Sequence, residues 1–436
     1  MATTTIAAPR RFALRLPDSV SALSERDFRV VWVGQAVSMC GTWMQVVAQG
    51  LVVLALWDSA FALGATNFAH ALPSLVVMLF GGVLADRAEK RRILLVTQVV
   101  MALLAAAVGI LVLTDTVELW MIVIASAILG VAFGYDMPAY QAFLPELVPP
   151  EKIQQVVALN SSTFHGSRII GPAVGGFVVA AFGIAGAYFI NAASFLAVIL
   201  GLMIIRYRPR ARAPEPGPRP SAIDGLREGI RHARGRPNLR ALLMLSALNT
   251  GFVFPSLAIL MPFYAKEVLD AGATVLGLLM AASGVGSVAG SLALIFWPQQ
   301  ARDARIWFCA AAAPVGLIVM ALSREPAVSI PATALVSCAF SLQYTIVGTM
   351  ISESTPQEFR GRVMSLHGMT FNGVIPVAAL LASGLAVAAG LPFVMALSAL
   401  CYAVLTFAVL RFAAGGIANV VRQSTVEYEA VAAAGG

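Results

Sequence analysis

Six ionisable side chains, Asp86, Arg87, Glu89, Lys90, Arg91 and Arg92, crowd into seven residues of the stretch GVLADRAEKRRIL, directly behind a long apolar run. Charges at that density either sit solvated in a loop or pair with partners elsewhere, forming a latch at a membrane surface. Two more charges stand apart. Asp136 and Arg168 each lie within apolar sequence, where an ionisable group costs about 2.5–3.5 kcal/mol at mid-bilayer on insertion scales. Such groups pair or face water. They read either as a static pair joining two helices or as a cavity pair that titrates or meets a solute. His70 and His165 carry the side chain that titrates nearest neutrality, and a single histidine in an apolar helix also serves as an interhelical hydrogen bonder.

Amides and aromatics complete the candidates. Gln35, Gln45, Gln49, Asn67, Asn249, Gln343, Tyr344 and Asn372 interrupt apolar runs, where they line a cavity or glue helices together. With Met39, Trp43, Phe252 and Met261 they suggest an amphipathic cavity for a bulky, partly aromatic solute. Enzymatic motifs are missing: no Walker, Rossmann or zinc signature occurs, so neither ATP, a cofactor nor a metal is expected. Cys40, Cys309, Cys338 and Cys401 fall inside apolar runs without metal-like spacing and read as small core residues.

The elements that must position these side chains follow from composition. The 436 residues are 59% hydrophobic and 12% charged, with a mean hydropathy of +0.84, whereas a soluble domain carries about 25% charged residues. The matching solvent is lipid, in which a spanning helix needs about 20 mostly apolar residues. Apolar segments occur at 29–56, 61–85, 93–113, 119–143, 156–182, 185–205, 239–264, 274–297, 306–322, 328–351, 363–389 and 391–412. The net charge of +7 is of a size that could bind nucleic acid. Its placement between apolar runs excludes that partner and is what membrane orientation requires. With the N-terminus inside, of the 29 Lys and Arg only Lys266 and Arg324 fall in outside loops and only Arg168 within a span. The positive-inside rule therefore predicts cytoplasmic termini. The Pro- and Arg-rich RYRPRARAPEPGPRPS cannot span and reads as a linker. The predicted organisation is a cytoplasmic tail 1–28, a six-helix bundle 29–205, a basic linker 206–238, a second six-helix bundle 239–412 and a cytoplasmic tail 413–436. No apolar h-region precedes the first span, so no cleavable signal is expected.

Sliding the chain on itself by 207 residues brings Glu146, Pro149 and Glu151 onto Glu353, Pro356 and Glu358. The same offset brings Val156, Thr163, Phe164, Gly166 and Gly183 onto Val363, Thr370, Phe371, Gly373 and Gly390. The halves thus repeat in parallel, as in transporters whose two halves share one membrane orientation.

Twelve spans, parallel halves and GVLADRAEKRRIL between spans two and three resemble the major facilitator superfamily. Its signature in that loop reads G-x-L-x-D-R-x-G-R-K. Gly82, Leu84, Asp86, Arg87, Lys90 and Arg91 match, while Glu89 replaces a glycine. DFRVVWVGQAVSMCGTWMQ, DMPAYQAFLPELV and EFRGRVMSL resemble more closely the branch of enterobactin (siderophore) exporters and related drug efflux proteins. GPAVGG, containing Gly171, Pro172, Gly175 and Gly176, is similar to the superfamily's antiporter signature, with Ser167 where an upstream glycine belongs.

The resemblance implies an all-α fold of twelve transmembrane helices in two pseudo-symmetric bundles. It implies a monomeric secondary exporter of a siderophore-like or drug-like solute in the bacterial inner membrane, coupled to protons and working by rocking of its halves. An importer or facilitator of the same fold, or a non-transporting receptor, is the alternative. It further implies that Asp86 faces a helix start near Gly361 and that Arg87 or Arg91 reaches Glu146 when the cytoplasmic side closes. Through the repeat, Glu353 is expected to meet Arg302 or Arg305, or else Arg360 or Arg362. Many drug–proton antiporters of this fold keep an acid in the middle of span one; none stands there.

Overall fold

Backbone amides in hydrocarbon must be satisfied within their own segment, which leaves helices as the spanning element for a chain of this pattern. The computed structural model describes residues 18–87, 89–207, 222–296 and 302–412, and among them the long elements are all helical. They are α1 (Arg26–Leu56), α2 (Ala60–Arg87), α3 (Lys90–Leu113), α4 (Leu119–Phe143), α5 (Ile153–Ile204) and the short α6 (Ala222–Arg234). Then follow α7 (Pro237–Leu248), α8 (Ala273–Phe296), α9 (Arg302–Leu322), α10 (Pro326–Glu353), α11 (Gln357–Asn372), α12 (Val374–Ala389) and α13 (Leu391–Phe412). Among the described residues, 11 helical stretches are long and apolar enough to cross a membrane. Large apolar side chains such as Phe177, Phe182, Leu322 and Phe412 point outward, while glycines and small polar residues turn toward neighbouring helices, the pattern lipid selects.

α5 departs from the expected pair of spans. Its 52 residues would reach about 78 Å as a straight helix, more than twice the ~30 Å hydrocarbon core. The run folds at Gly183, whose φ of 73° and ψ of 176° lie in a region essentially reserved for glycine. Two arms, 153–182 and 184–204, therefore meet without a loop.

Pro255 and Pro262 lack an amide hydrogen, and the chain beyond α7 takes wide turns around them. Leu260 donates to the Pro255 carbonyl at 2.9 Å and Leu269 to that of Tyr264 at 3.2 Å, five residues back rather than four.

Packing sorts the helices into two groups. α1 and α3 pack on α5, and α2 on α4; α8 and α9 pack on α10, and α9 also on α13. The groups meet along α5 with α8 and α2 with α12. The largest buried cluster lies in the second group, around Tyr264, Met320 and Tyr402. α6, inside the stretch read as a linker, docks on α11: Glu228 meets Arg362 at 2.8 Å, and His232 stacks on Phe359 with ring centroids 4.3 Å apart. Burial, and then Arg236, holds the His232 imidazole below its ordinary pKa.

Candidate functional site

A cavity of about 610 Å³ opens among α1, α2, α3, α4 and both arms of α5, with Ala258, Ile259 and Pro262 closing it from the second group. α1 supplies Gln35, Met39, Trp43, Gln45 and Gln49, each on the inward stripe of that helix; α2 adds Asn67 and His70, and α4 adds Asp136. Helix-to-helix hydrogen bonds hold part of this wall. Gln49 donates to the Ser126 hydroxyl at 3.2 Å and Asn191 to Gln45 Oε1 at 2.7 Å. Asp136 is 5% exposed; its Oδ1 accepts from the Thr97 hydroxyl at 2.5 Å and from Gln98 Nε2 at 3.1 Å.

Several expectations fail here. Asp136 and Arg168 form no pair: no ion pair among the described residues includes either of them. Arg168 lies where α5 presses on α8, its carbonyl 2.8 Å from where a Gly284 methyl would stand, and its guanidinium lies 5.4 Å from the Trp43 ring centroid. Asp136 turns instead to α3. Asn249, Tyr344 and Asn372 are not in the wall. Asn249 donates to the Phe340 carbonyl at 3.0 Å, Tyr344 stacks on His367 with centroids 4.3 Å apart, and the exposed Asn372 bonds back to Gly368 at 3.4 Å. Met261 is fully buried in the second group's core, with Phe252 packed against it. Gln343 is glue as well, accepting from the Tyr402 hydroxyl. The side chain of His165 lies outside the described residues. Wall residues not anticipated from sequence include Gln98, Tyr140, Asn160 and Asn191; each is a polar interruption of an apolar run, the signal that marked Gln35.

At one end of the molecule the expected acid–base contacts take a different form. Glu146 is met at 2.9 Å by Lys90, the first residue of α3, and also accepts from the Tyr207 hydroxyl. Burial, and then this carboxylate, pushes the Tyr207 phenol upward. Arg91 does not reach Glu146; it donates to the Leu202 and Met203 carbonyls at 2.7 and 3.3 Å, capping the C-terminal end of α5, where cations are favoured. The surroundings of Gly82 and the side chains of Asp86 and Arg87 lie outside the described residues.

In the second group, Arg302, the first residue of α9, grips Glu353 with both terminal nitrogens at 2.5 and 3.0 Å. Arg305 is buried nearby on the same helix, Arg362 is taken by Glu228, and no ion pair among the described residues includes Arg360. Both observed pairs join helices within one group. They are therefore not conditional on closure between groups, contrary to the expectation for Glu146.

At the opposite end the groups meet directly. The GPAVGG segment is a wedge: Gly171 and Gly175 face α1, where methyl groups would stand 2.7 Å from the Cys40 carbonyl and 2.9 Å from Met44 Cα. Pro172 and Gly176 face α8, and a methyl on Gly176 would sit 2.6 Å from the Ala273 carbonyl oxygen and 3.0 Å from Gly277 Cα. Gly64 packs on Ser383 and Gly50 on Pro262. Lys266 bridges to Asp58 of the other group at 2.6 Å, and its hydrogen bond holds the Asp58 carboxyl below the usual carboxylate range.

Long apolar helices in two groups around a cavity of solute size define a multi-pass integral membrane protein of transporter architecture. The chain belongs to the major facilitator superfamily, within its transmembrane secretion effector family, whose profile matches residues 18–431. It is similar to the multidrug efflux pump Tap of Mycolicibacterium fortuitum, at 26% identity over 358 residues, covering 80% of this chain and 87% of that one. The enterobactin exporter EntS of Escherichia coli O1:K1 is 23% identical over 340 residues, covering 78% and 80%. In fold it is similar to an inward-facing bacterial homologue of the iron transporter ferroportin, with TM-score 0.67 and 14% identity over 88% of this chain and 98% of that one.

Proposed function

We propose that this protein is a secondary active exporter of a small, bulky, amphipathic solute, drug-like or siderophore-like, in the bacterial inner membrane. The cavity carries the reading: about 610 Å³ is the size of a pocket that buries a drug-sized molecule, and its wall alternates amides with Trp43 and Phe164. The family and the efflux pump and exporter among its relatives support outward transport. Counting the arms of α5 separately gives twelve spans, an even number that puts both termini on one side; with that side taken as cytoplasmic from the charge distribution, the end held by Gly176, Gly277 and the Asp58–Lys266 bridge would face outward. These contacts would shut the cavity on that side. Rocking of the six-helix bundles would alternate access, with Asp86 meeting the helix start near Gly361 in the opposite state. Proton coupling would act through the ionisable wall groups Asp136 and His70.

The test is uptake of fluorescent amphipathic solutes into inside-out membrane vesicles carrying an imposed proton gradient. Accumulation that collapses with a protonophore is expected. Equilibration without accumulation would mark a facilitator, and absence of flux across a broad panel would remove the transport reading.

A further inference from the structure

α6 ends at Arg234, two residues before α7 begins at Pro237, and it lies against the first turns of α11. Both of those helices enter the membrane at this end, which sets α6 beside the lipid headgroups. One of its faces is spent on the protein. Gly229 and Ala233, four residues apart, are buried there, and a methyl on Gly229 would stand 3.0 Å from the Arg362 carbonyl oxygen. Glu228 meets Arg362, and His232 stacks on Phe359.

The face turned from the protein is basic. Arg227, Arg231 and Arg234 fall at i, i+4 and i+7, one stripe of a helix. All three are exposed, as is Arg240 on the first turn of α7. No ion pair among the described residues includes Arg231, Arg234 or Arg240. Like charges at that spacing repel along a helix. This helix has 13 residues, Gly225 and Gly229 among them, and is marginal on its own. Cations suit the last turn of a helix, and topology asks for arginines at this end. Neither requires them to be gathered on the face turned from the protein.

The repeat supplies a comparison. Arg362 stands 207 residues beyond Gln155, and Gln155 receives the corresponding helix of the first group, Asp18–Ser24. Its Oε1 accepts from the Ala22 amide at 2.7 Å and the Ser21 hydroxyl at 2.9 Å. That helix, DSVSALS, docks with no basic residue of its own. The cations beside it are engaged within the protein: Lys152 by Glu25 at 2.6 Å, Arg26 by Asp27 at 3.7 Å and Arg29 by the Leu23 carbonyl at 2.8 Å. Docking on a span thus needs no arginine stripe, and the stripe of α6 is surplus to it.

We infer that the basic face of α6 is a binding surface for anionic phospholipid headgroups, with the Arg231 and Arg234 guanidiniums on phosphate oxygens and Arg240 beside them. Guanidinium forks match phosphate geometry, and basic helices next to a span are drawn to anionic leaflets. The inference is independent of the solute. It takes from the proposed function only that this end meets the cytoplasmic leaflet.

The test places a fluorescent donor on Gly235→Cys, where a methyl would meet nothing closer than 3.7 Å, in full-length protein lacking the four native cysteines. The protein sits in phosphatidylcholine nanodiscs with a trace of phosphatidylglycerol or phosphatidylcholine carrying an acceptor on its acyl chain. Both leaflets of a nanodisc have one composition, so the reading does not depend on orientation. Energy transfer should show phosphatidylglycerol enriched about fivefold or more over phosphatidylcholine, the preference that one arginine at a membrane surface confers, and added salt should reduce it. Arg231→Gln, Arg234→Gln and Arg240→Gln together should bring the two lipids to within about twofold, while lysine at the same positions should keep the preference. Equal transfer to both lipids in the parent protein overturns the inference, whatever the variants do. A preference that the triple glutamine variant retains overturns it too, since the lipid would then belong to other cations of this end. Loss of the preference to millimolar inorganic phosphate at constant ionic strength would assign the stripe to a free anion and overturn the lipid as its partner.

Discussion

Arg302 and Lys90 stand at the same point of the repeat, each opening a helix and each meeting the acid that ends the next span. They do not hold it in the same way. The guanidinium makes two parallel bonds to Glu353, whereas the ammonium meets Glu146 at one oxygen and Tyr207 takes the other. Bidentate geometry is what lysine cannot supply. Arg302→Lys should therefore lower stability by about 1.5–3 kcal/mol, the range for hydrogen bonds to charged groups, while Lys90→Arg should be close to neutral; thermal unfolding of both variants in detergent checks this. The matched acids were legible because Glu146 and Glu353 coincide at one sequence offset. The identity of the base was not, because Lys90 and Arg91 are adjacent and only the helix geometry of α3 decides which one faces α4. The partners of Asp136 were hidden for a different reason: Thr97 and Gln98 are neutral residues on another helix, and a search for counter-charges passes over them.

Element positions were readable where apolar length alone sets them, as in α1, α3 and α13. The bend at Gly183 was visible only as a gap between apolar segments, since nothing in the sequence says that a single residue closes it. Its backbone angles cost any other residue about 1–3 kcal/mol. Gly183→Ala is therefore expected to lose that much stability even though nothing lies within 4 Å of where its methyl would stand, a loss from strain rather than crowding. A lowered unfolding temperature with an unchanged helical circular dichroism signal is the expected observation. α6 was missed altogether. Leu226, Ile230 and Ala233 have helical spacing, but the prolines and arginines just before them dominate the composition. The polar residues of the second group were overread as cavity lining; Asn249 and Gln343 bond helix to helix, which is the commoner employment of amides in a membrane.

At the scale of the whole molecule, the state seen is held by backbone contact between α5 and α8. A side chain at Gly277 would have to enter a space where even its first carbon lies 2.8 Å from the Pro172 carbonyl and 3.0 Å from Gly176 Cα. Gly277→Val should push the groups apart at this end and expose the cavity there. With a reporter Ser38→Cys in a background lacking the four native cysteines, labelling by a membrane-impermeant maleimide from outside intact cells should rise several-fold. Unchanged labelling would mean that the contact does not govern access.

The Asp58–Lys266 bridge adds a pH term of definite sign. Because the carboxyl is held below its ordinary pKa, the bridge is intact above about pH 4 and is lost as pH falls through the lowered value. Added salt should weaken it at any pH. Spin labels at Ser59 and Ala271 should report a short distance at pH 7 and a longer population as the pH falls through the lowered Asp58 value. The same end has a further property. Its connections are 57–59, 114–118, Gly183, 269–272, 323–325 and Gly390, each only a few residues long. On the proposed orientation this is the face shown to the world outside the cell membrane. Such a surface gives a protease no slack chain to draw into its cleft and an antibody no protruding loop to grip, so the transporter would be nearly invisible to anything that recognises peptide from that side.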